Sequence, residues 1–256
     1  MIDIHMHIIP GIDDGAADYD DSLRMASMSY ESGVHHIVTT SHCYPGYYDN
    51  YAGESMDKKW EKLAERIQIE RIPVRLYKGM EIMASDRLKD DLINRKVWTI
   101  NDTDYFLVEF EFDEKPSFCA KILSECKTAG FKPVIAHPER YFFVQNNPGI
   151  VYDWYREGYG IQINKGSLLK QFGHKERDTA ESLLRHHVVS CVASDAHNYS
   201  SRNPSFGRLF SYLRDNFGKE YAYLLTRENP GRILSGRRLV GYEPLEYNKL
   251  SRRYGG

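Results

Sequence analysis

Ile4-His5-Met6-His7 places two imidazoles two positions apart near the start of the chain. In an extended strand, residues i and i+2 point to the same side, so His5 and His7 can reach one metal ion. Taken alone, such a pair is weak ground for a metal site. The pattern gains force from the ends of other apolar runs. His42 closes His-Ile-Val-Thr-Thr-Ser-His, Glu81 closes Leu-Tyr-Lys-Gly-Met-Glu, and Glu109 stands in Phe-Leu-Val-Glu-Phe. His137 closes Pro-Val-Ile-Ala-His, and Asp195 and His197 close Val-Ala-Ser-Asp-Ala-His as a second i, i+2 pair. Each residue has a bland explanation: a capping aspartate, a hydrogen-bonded core histidine, a solvated glutamate. Their joint occurrence at the same end of six runs does not. Imidazoles mixed with carboxylates suit Mn²⁺, Zn²⁺ or iron better than a thiolate-rich zinc site, and this many donors implies more than one ion, with a bridging carboxylate such as Glu81.

Residues so far apart in sequence meet only if the elements that carry them converge. Short apolar or β-branched runs at Met1–His5, His36–Thr40, Val74–Lys78, Tyr105–Phe110, Pro133–Ala136, Gly160–Asn164 and Val188–Ala193 read as strands. Helix-length segments separate them, at the spacing of βαβ units of roughly 30 residues. Leu23, Ala26, Ser27 and Tyr30 mark the inward face of the first helix, with Gly33 as its stop. Ser117–Ala129 reads as a helix with Ile122, Leu123 and Cys126 inward and Gly130 at its end. This alternation predicts an α/β fold with a parallel sheet and outer helices. Seven such units fit a closed or nearly closed barrel better than a small open sheet. The C-terminal ends of barrel strands share one mouth, where active sites are built. A single domain is expected, with the stretch from Leu239 to Gly256 packing loosely.

With 41% hydrophobic and 27% charged residues and a formal net charge of −2, the composition is that of an ordinary globular protein. It gives no support to a nucleic-acid coat or a membrane-surface protein. No apolar run approaches the roughly 20 residues of a membrane span. The first candidate chemistry already starts at His5 without the apolar stretch of a signal peptide, so a cytoplasmic location is expected. Cys43, Cys119, Cys126 and Cys191 show no CxxC pair and read as reduced thiols. His35, His36, His174, His186 and His187 lack the strand-end placement and read as surface or core residues.

Met-Ile-Asp-Ile-His-Met-His, Ile-Asp-Asp-Gly, Thr-Ser-His, Gly-Met-Glu, His-Pro-Glu-Arg, Ser-Asp-Ala-His and Glu-Asn-Pro occur in this order along the chain. Together they resemble the polymerase-and-histidinol-phosphatase (PHP) superfamily. More narrowly, they resemble the bacterial manganese-dependent tyrosine-protein phosphatases of capsule and exopolysaccharide operons. The likeness runs from residue 1 to about residue 240. It implies a distorted (β/α)7 TIM-like barrel and three divalent ions, Mn²⁺ first, with Zn²⁺ or iron as alternatives. Carried over by position, it puts His5, His7, Glu81 and Asp195 on one ion, Glu81, Glu109 and His137 on a second, and Asp14, His42 and His197 on a third. Asp13 adjoins Asp14, and Glu111 stands close to Glu109, so both assignments stay open by a residue or two. Arg140 and Arg202 match two arginines that the family uses on phosphate; with His42 they are the candidate catalytic residues. The implied partner is a phosphotyrosine protein, in particular the tyrosine-rich tail of a bacterial tyrosine autokinase, and a homo-oligomer is left open.

Phosphomonoester hydrolysis has one of the largest uncatalysed barriers known, so a site must both make a nucleophile and neutralise a dianion. Clustered ions and arginine forks meet those demands. A phenolate leaves with a pKa near 10, which lessens the need for a general acid, and none is identifiable. The cysteine route to the same reaction requires an arginine six residues after the cysteine. Asp49, Glu125, Lys132 and His197 stand at those positions instead, which excludes it. The stretch Tyr44-Pro45-Gly46-Tyr47-Tyr48-Asp49-Asn50-Tyr51 follows a proposed ligand strand and is expected to line the mouth, or else to fold on itself. The rivals are a histidinol-phosphatase-like enzyme of the same superfamily, an amidohydrolase, and an inactive metal-binding scaffold.

Overall fold

The computed structural model describes residues 1–247. Nine strands occur among them: β1 (Ile2–Met6), β2 (His36–Thr39), β3 (His42–Cys43), β4 (Arg75–Lys78), β5 (Glu81–Met83), β6 (Tyr105–Glu109), β7 (Lys132–Ala136), β8 (Gly160–Asn164) and β9 (Cys191–Ala193). Two parallel sheets result, one in the order β1-β2-β4 and the other β3-β5-β6-β7-β8-β9. The expected runs at His36 and Val74 each continue past a break, at Thr40-Ser41 and at Gly79-Met80, and resume in the second sheet. Gly79 is required at its break, since a Cβ there would lie 2.6 Å from the Val38 side chain. β1 meets the segment just past β9 through a parallel bridge between Met6 and Ala196, with His7 N–H donating to Ala196 O and Asp195 N–H to His5 O, both at 2.9 Å. The run expected at Val188–Ala193 is a strand only from Cys191.

Side chains on the two faces of these strands form two apolar clusters. The larger fills the space beneath the helices, with Ile37, Phe106, Val108, Ile135, Ile161, Ile163 and Val192 from the strands. The smaller gathers Ile4, Val38, Leu107, Val134, Ala136, Cys191 and Ala193 on the opposite face, capped by Ile233 and Leu234 of the helix Asn229–Leu234. Period-2 alternation along each strand produces this partition. β1 breaks the rule: Ile4 belongs to the smaller cluster but Met6 to the larger. Asp3 pairs with Ile37 and Met6 with Thr39, so β1 spends three steps where β2 spends two. Such an extra residue re-aims the side chains that follow it. It turns His5 and His7 to the side that Ile4 occupies.

The helix expected at Ser117–Ala129 spans Pro116–Thr128, with Pro116 in its first turn and Cys119, Ile122, Leu123 and Cys126 buried. The helix Tyr19–Glu31 starts at Asp18, whose carboxylate accepts Asp21 N–H at 2.9 Å. Its buried stripe is Ser22, Met25, Ala26 and Ser29, one position N-terminal to the expected one, and Tyr30 faces solvent. The two serines tolerate burial because each hydroxyl donates to a carbonyl, Ser22 to Ile8 at 2.7 Å and Ser29 to Met25 at 2.9 Å.

The segment after Leu239 was expected to pack loosely, yet it makes specific contacts as far as Tyr247. Val240 exchanges two hydrogen bonds with the Asn229 side chain, Leu245 N–H donates to His186 O at 2.9 Å, and Tyr247 stacks on His186 at 3.6 Å. Residues 248–256 of the expected tail lie outside the described residues.

Candidate metal centre

The side chains singled out at the strand ends meet in one cleft of about 160 Å³, lined by Asp14, His42, Glu81, Glu109, Phe112, His137, Arg140, Asp195, His197 and Arg202. His5 and His7 form its buried floor. β3 and β5 set His42 and Glu81 side by side as register partners, and Glu109 ends the adjoining β6. His137 follows β7 directly and Asp195 follows β9 after Ser194, both with positive φ (32° and 49°). For non-glycine residues that conformation costs about 1–3 kcal/mol each, and it is found where the surroundings force a side chain into a set direction.

Glu81 lies at the centre. Its Oε2 is 3.2 Å from His5 Nε2, 3.2 Å from His7 Nε2 and 3.1 Å from His42 Nδ1, while its Oε1 is 2.9 Å from His137 Nε2. Glu109 Oε1 stands 3.4 Å from the same His137 nitrogen. Asp195 Oδ1 is 3.5 Å from the Nε2 atoms of both His5 and His7. On the outer side, Asp14 Oδ1 is 3.5 Å from His42 Nε2 and 3.4 Å from His197 Nε2. Four groups of donors lie close enough to share an ion: His5-His7-Glu81, His5-His137-Asp195, His42-Glu81-Glu109, and His7-Asp14-His42-His197.

Three imidazoles have their other nitrogen tied down. Nδ1–H of His5 donates to Gln162 Oε1 at 2.8 Å, that of His7 to Asp13 Oδ2 at 2.9 Å, and that of His197 to Asp195 O at 3.1 Å. This fixes the tautomer and leaves each Nε2 lone pair directed into the cleft, the arrangement found around metal-binding histidines. Asp13 is thereby separated from Asp14 in placement. Its carboxylate is consumed by His7, by His42 N–H at 2.9 Å and by Gly15 N–H at 3.0 Å, whereas Asp14 faces His42 and His197. Gly15 allows this tight turn, since a Cβ there would sit 2.3 Å from the carbonyl oxygen of His7. Glu111 is exposed and accepts the Tyr44 hydroxyl, outside every donor group, while Glu109 lies inside one.

The donors fit divalent cations on three counts. His5 Nε2 and His7 Nε2 approach to 3.2 Å with their protons on the far nitrogens, a repulsive contact that a shared cation resolves. His137 Nδ1 is buried without a partner. Burial, with the charges of Glu81 and Asp195 beside it, pushes the Glu109 carboxyl well above its usual range, as expected where negative charge awaits a counter-ion. At the open side, Arg202 Nη2 is 2.7 Å and Arg140 Nη1 3.5 Å from Asp195 Oδ2. The Arg202 Nε is buried and unpaired, a donor still free for an anion.

β8 offers no imidazole or carboxylate, so ligand types alone do not mark it as part of the site. Its fully buried Gln162 and Asn164 nonetheless connect two site residues: Gln162 holds His5 and donates to Asn164 Oδ1 at 2.8 Å, and Asn164 donates to Asp195 Oδ2 at 2.6 Å. Their i, i+2 spacing, the same as that of His5 and His7, was the available signal. In the tyrosine-rich stretch, Tyr48 stacks on His42 (5.6 Å, 9°), while Tyr47 is 76% exposed on a turn through Pro45 and Gly46 (φ +84°).

The chain is 35% identical to tyrosine-protein phosphatase YwqE of Bacillus subtilis, over 95% of each sequence. It superposes with a TM-score of 0.90 on a chain from the crystal structures of YwqE from Bacillus subtilis and CpsB from Streptococcus pneumoniae, described there as unique metal-dependent tyrosine phosphatases. That match is 34% identical and covers 96% of this chain and 99% of the other. The lactonase Lmo2620 of Listeria monocytogenes shares the fold alone, at 10% identity and a TM-score of 0.61 over 91% and 94% of the two chains. A family model described as "Capsular polysaccharide synthesis, CpsB/CapC" matches residues 1–235. The chain belongs to the CpsB/CapC family.

Proposed function

We propose that this protein is a metal-dependent protein-tyrosine phosphatase, a phosphoric monoester hydrolase built on one distorted (β/α)7 barrel domain. The observation that carries the reading is the convergence of His5, His7, Asp14, His42, Glu81, Glu109, His137, Asp195 and His197 on a single cleft, with Arg140 and Arg202 at its open side. The family relationship and the names of its members support the same activity.

The residues that would hold the ions are His5, His7, Glu81 and Asp195; Glu81, Glu109 and His137; and Asp14, His42 and His197. Divalent ions bound there, Mn²⁺ by preference and Zn²⁺ or iron as alternatives, would supply positive charge and water activation. Arg140 and Arg202, both beside Asp195, grip the phosphoryl oxygens, and their forks fit a tetrahedral dianion. His42 joins the outer ligand set to Glu81 and orients the face on which the phosphoryl group lands. A cleft of about 160 Å³ shared by ions and a phosphoryl group leaves the tyrosyl ring at the rim, beside Tyr48. A phenolate leaves without strong general-acid help. The substrate is a phosphotyrosine protein, in particular the tyrosine-rich tail of a bacterial tyrosine autokinase that controls capsular or exopolysaccharide synthesis. The enzyme acts in the cytoplasm, singly or as a homo-oligomer. No helix among the described residues is long and apolar enough to cross a membrane.

Metal analysis of the purified protein alongside hydrolysis of a phosphotyrosine peptide and of histidinol phosphate tests this reading. Several bound ions and a strong preference for the peptide are expected. A metal-free active enzyme, or preference for histidinol phosphate, would overturn it. Tyr48→Ala is expected to raise KM for the peptide more than Tyr47→Ala, because only Tyr48 lies on a site residue.

A further inference from the structure

Phe172 stands on the loop that follows β8. One turn of helix, Lys165–Leu168, leads to Lys170 at φ 64°, and Gln171 N–H returns to donate to Gly166 O at 2.8 Å. This folds the Phe172 ring onto the backbone of Gly166, where a Cβ would lie 2.5 Å from Cε2 and 2.8 Å from Cζ of the ring. The ring also lies beneath both arginines of the cleft. The Arg140 guanidinium carbon is 4.7 Å from its centroid and that of Arg202 is 5.6 Å away. Arg140 has a second ring, Phe112, at 4.5 Å, and so contacts two aromatic side chains. Arg202 has Phe172 alone among the described rings. Gln171 fastens the loop to the segment carrying Arg202 by donating to Ser201 O at 3.1 Å.

We propose that Phe172, seated on Gly166, is a positioning residue that holds Arg140 and Arg202 at the spacing needed to grip one phosphoryl group. The inference rests on the phosphatase reading above. A guanidinium is attracted to the negative face of an aromatic ring, and that face leaves its N–H edge free for an anion. Two long side chains on separate loops otherwise lose rotamer freedom when they close on the phosphate, and a ring beneath both removes part of that loss beforehand. The ring is an orienting surface that itself donates nothing to the phosphoryl oxygens.

The experiment uses the full-length, metal-loaded protein. Hydrolysis of a phosphotyrosine peptide by the wild type comes first, and its absence would fail the phosphatase reading itself. With an active wild type, Phe172→Leu is expected to raise both KM for the peptide and the Kd of inorganic phosphate, measured by calorimetry, by roughly 5- to 30-fold, the span of two cation–π contacts. Metal content and thermal midpoint stay near those of the wild type, and kcat changes less than KM. Phe172→Tyr restores both constants. Gly166→Ala, which forces the ring off its seat, shifts them in the same direction as Phe172→Leu. Combining Phe172→Leu with Arg202→Lys yields less than the product of the two single effects, because both act through one guanidinium. Unchanged phosphate affinity in Phe172→Leu would overturn the proposal. If only the peptide KM rose, the ring would be a contact for the tyrosyl group. If Phe172→Tyr failed to rescue, the ring would be a packing residue alone.

Discussion

The strands are apolar at one end and densely ionisable at the other. On β6, Leu107 is sealed in the smaller apolar cluster and Glu109, two residues on, lies in the ionisable cleft. Val134 and Ala136 precede His137, and Cys191 and Ala193 precede Asp195. The apolar end can be built from many combinations of aliphatic side chains of similar volume, whereas the ionisable end depends on individual atoms. The first anchors the second: a buried carboxylate or imidazole set keeps its spacing only if the strands beneath it cannot slide. Substitutions at the two ends are therefore expected to fail in different ways.

The largest effect is expected from His5→Ala, which removes a donor from two of the four groups. Phosphotyrosine hydrolysis should fall by at least about a thousandfold, since the reaction depends on the positive charge held there. Metal analysis should show reduced occupancy while circular dichroism stays native. Leu107→Ala, at the other end of the interior, should reverse the pattern. About 2–5 kcal/mol of stability is lost in a denaturant titration, and the folded fraction keeps its kcat. A smaller effect should follow Gln162→Leu, which keeps an apolar volume but releases His5 Nδ1 and the Asn164 carbonyl. Removal of such an outer partner weakens metal binding by about 10- to 100-fold, read by competition with a chelator. If Leu107→Ala lowered metal affinity as much as Gln162→Leu, the division of labour would be wrong.

The mildest prediction concerns pH and the outer layer. Burial pushes the thiols of Cys119 and Cys126 up to about 12. An unfolded cysteine releases its proton near 9, so from that pH upward the unfolded state binds fewer protons than the folded one. Stability must fall across this range until the native thiols ionise in turn. The double variant Cys119→Ala/Cys126→Ala should move the alkaline unfolding midpoint upward and leave the neutral-pH activity alone. The same effect holds Cys43, next to His42, up at about 12, which keeps that thiol out of nucleophilic chemistry.

Two helices show where patterns suffice. Ile122, Leu123 and Cys126 were legible because aliphatic and thiol side chains have little reason to face water. The stripe of Tyr19–Glu31 was missed because two of its members are serines, whose burial depends on carbonyl partners that no periodicity displays. The cleft was legible for a similar reason: imidazoles and carboxylates at strand ends announce themselves. The neutral amides of Gln162 and Asn164 do not, and their role appears only when His5 and Asp195 are seen beside them. Asp13 and Asp14 could not be told apart by type or spacing; the turn at Gly15 separates the one that holds His7 from the one that faces His42. The two interruptions of the strands were also hidden, since Thr40-Ser41 and Gly79-Met80 continue an extended pattern.

The additional residue in β1 decides which side of the sheet its two histidines serve. Laid against β2 without that extra step, the same strand would keep its composition and most of its hydrogen bonds within reach. Perfect alternation from Ile4 would then set Met6 on the same side as Ile4 and deliver a thioether where an imidazole is needed, while sending both histidines under the helices. Active and inert folds would differ by one step of register, with every candidate ligand still present in the sequence.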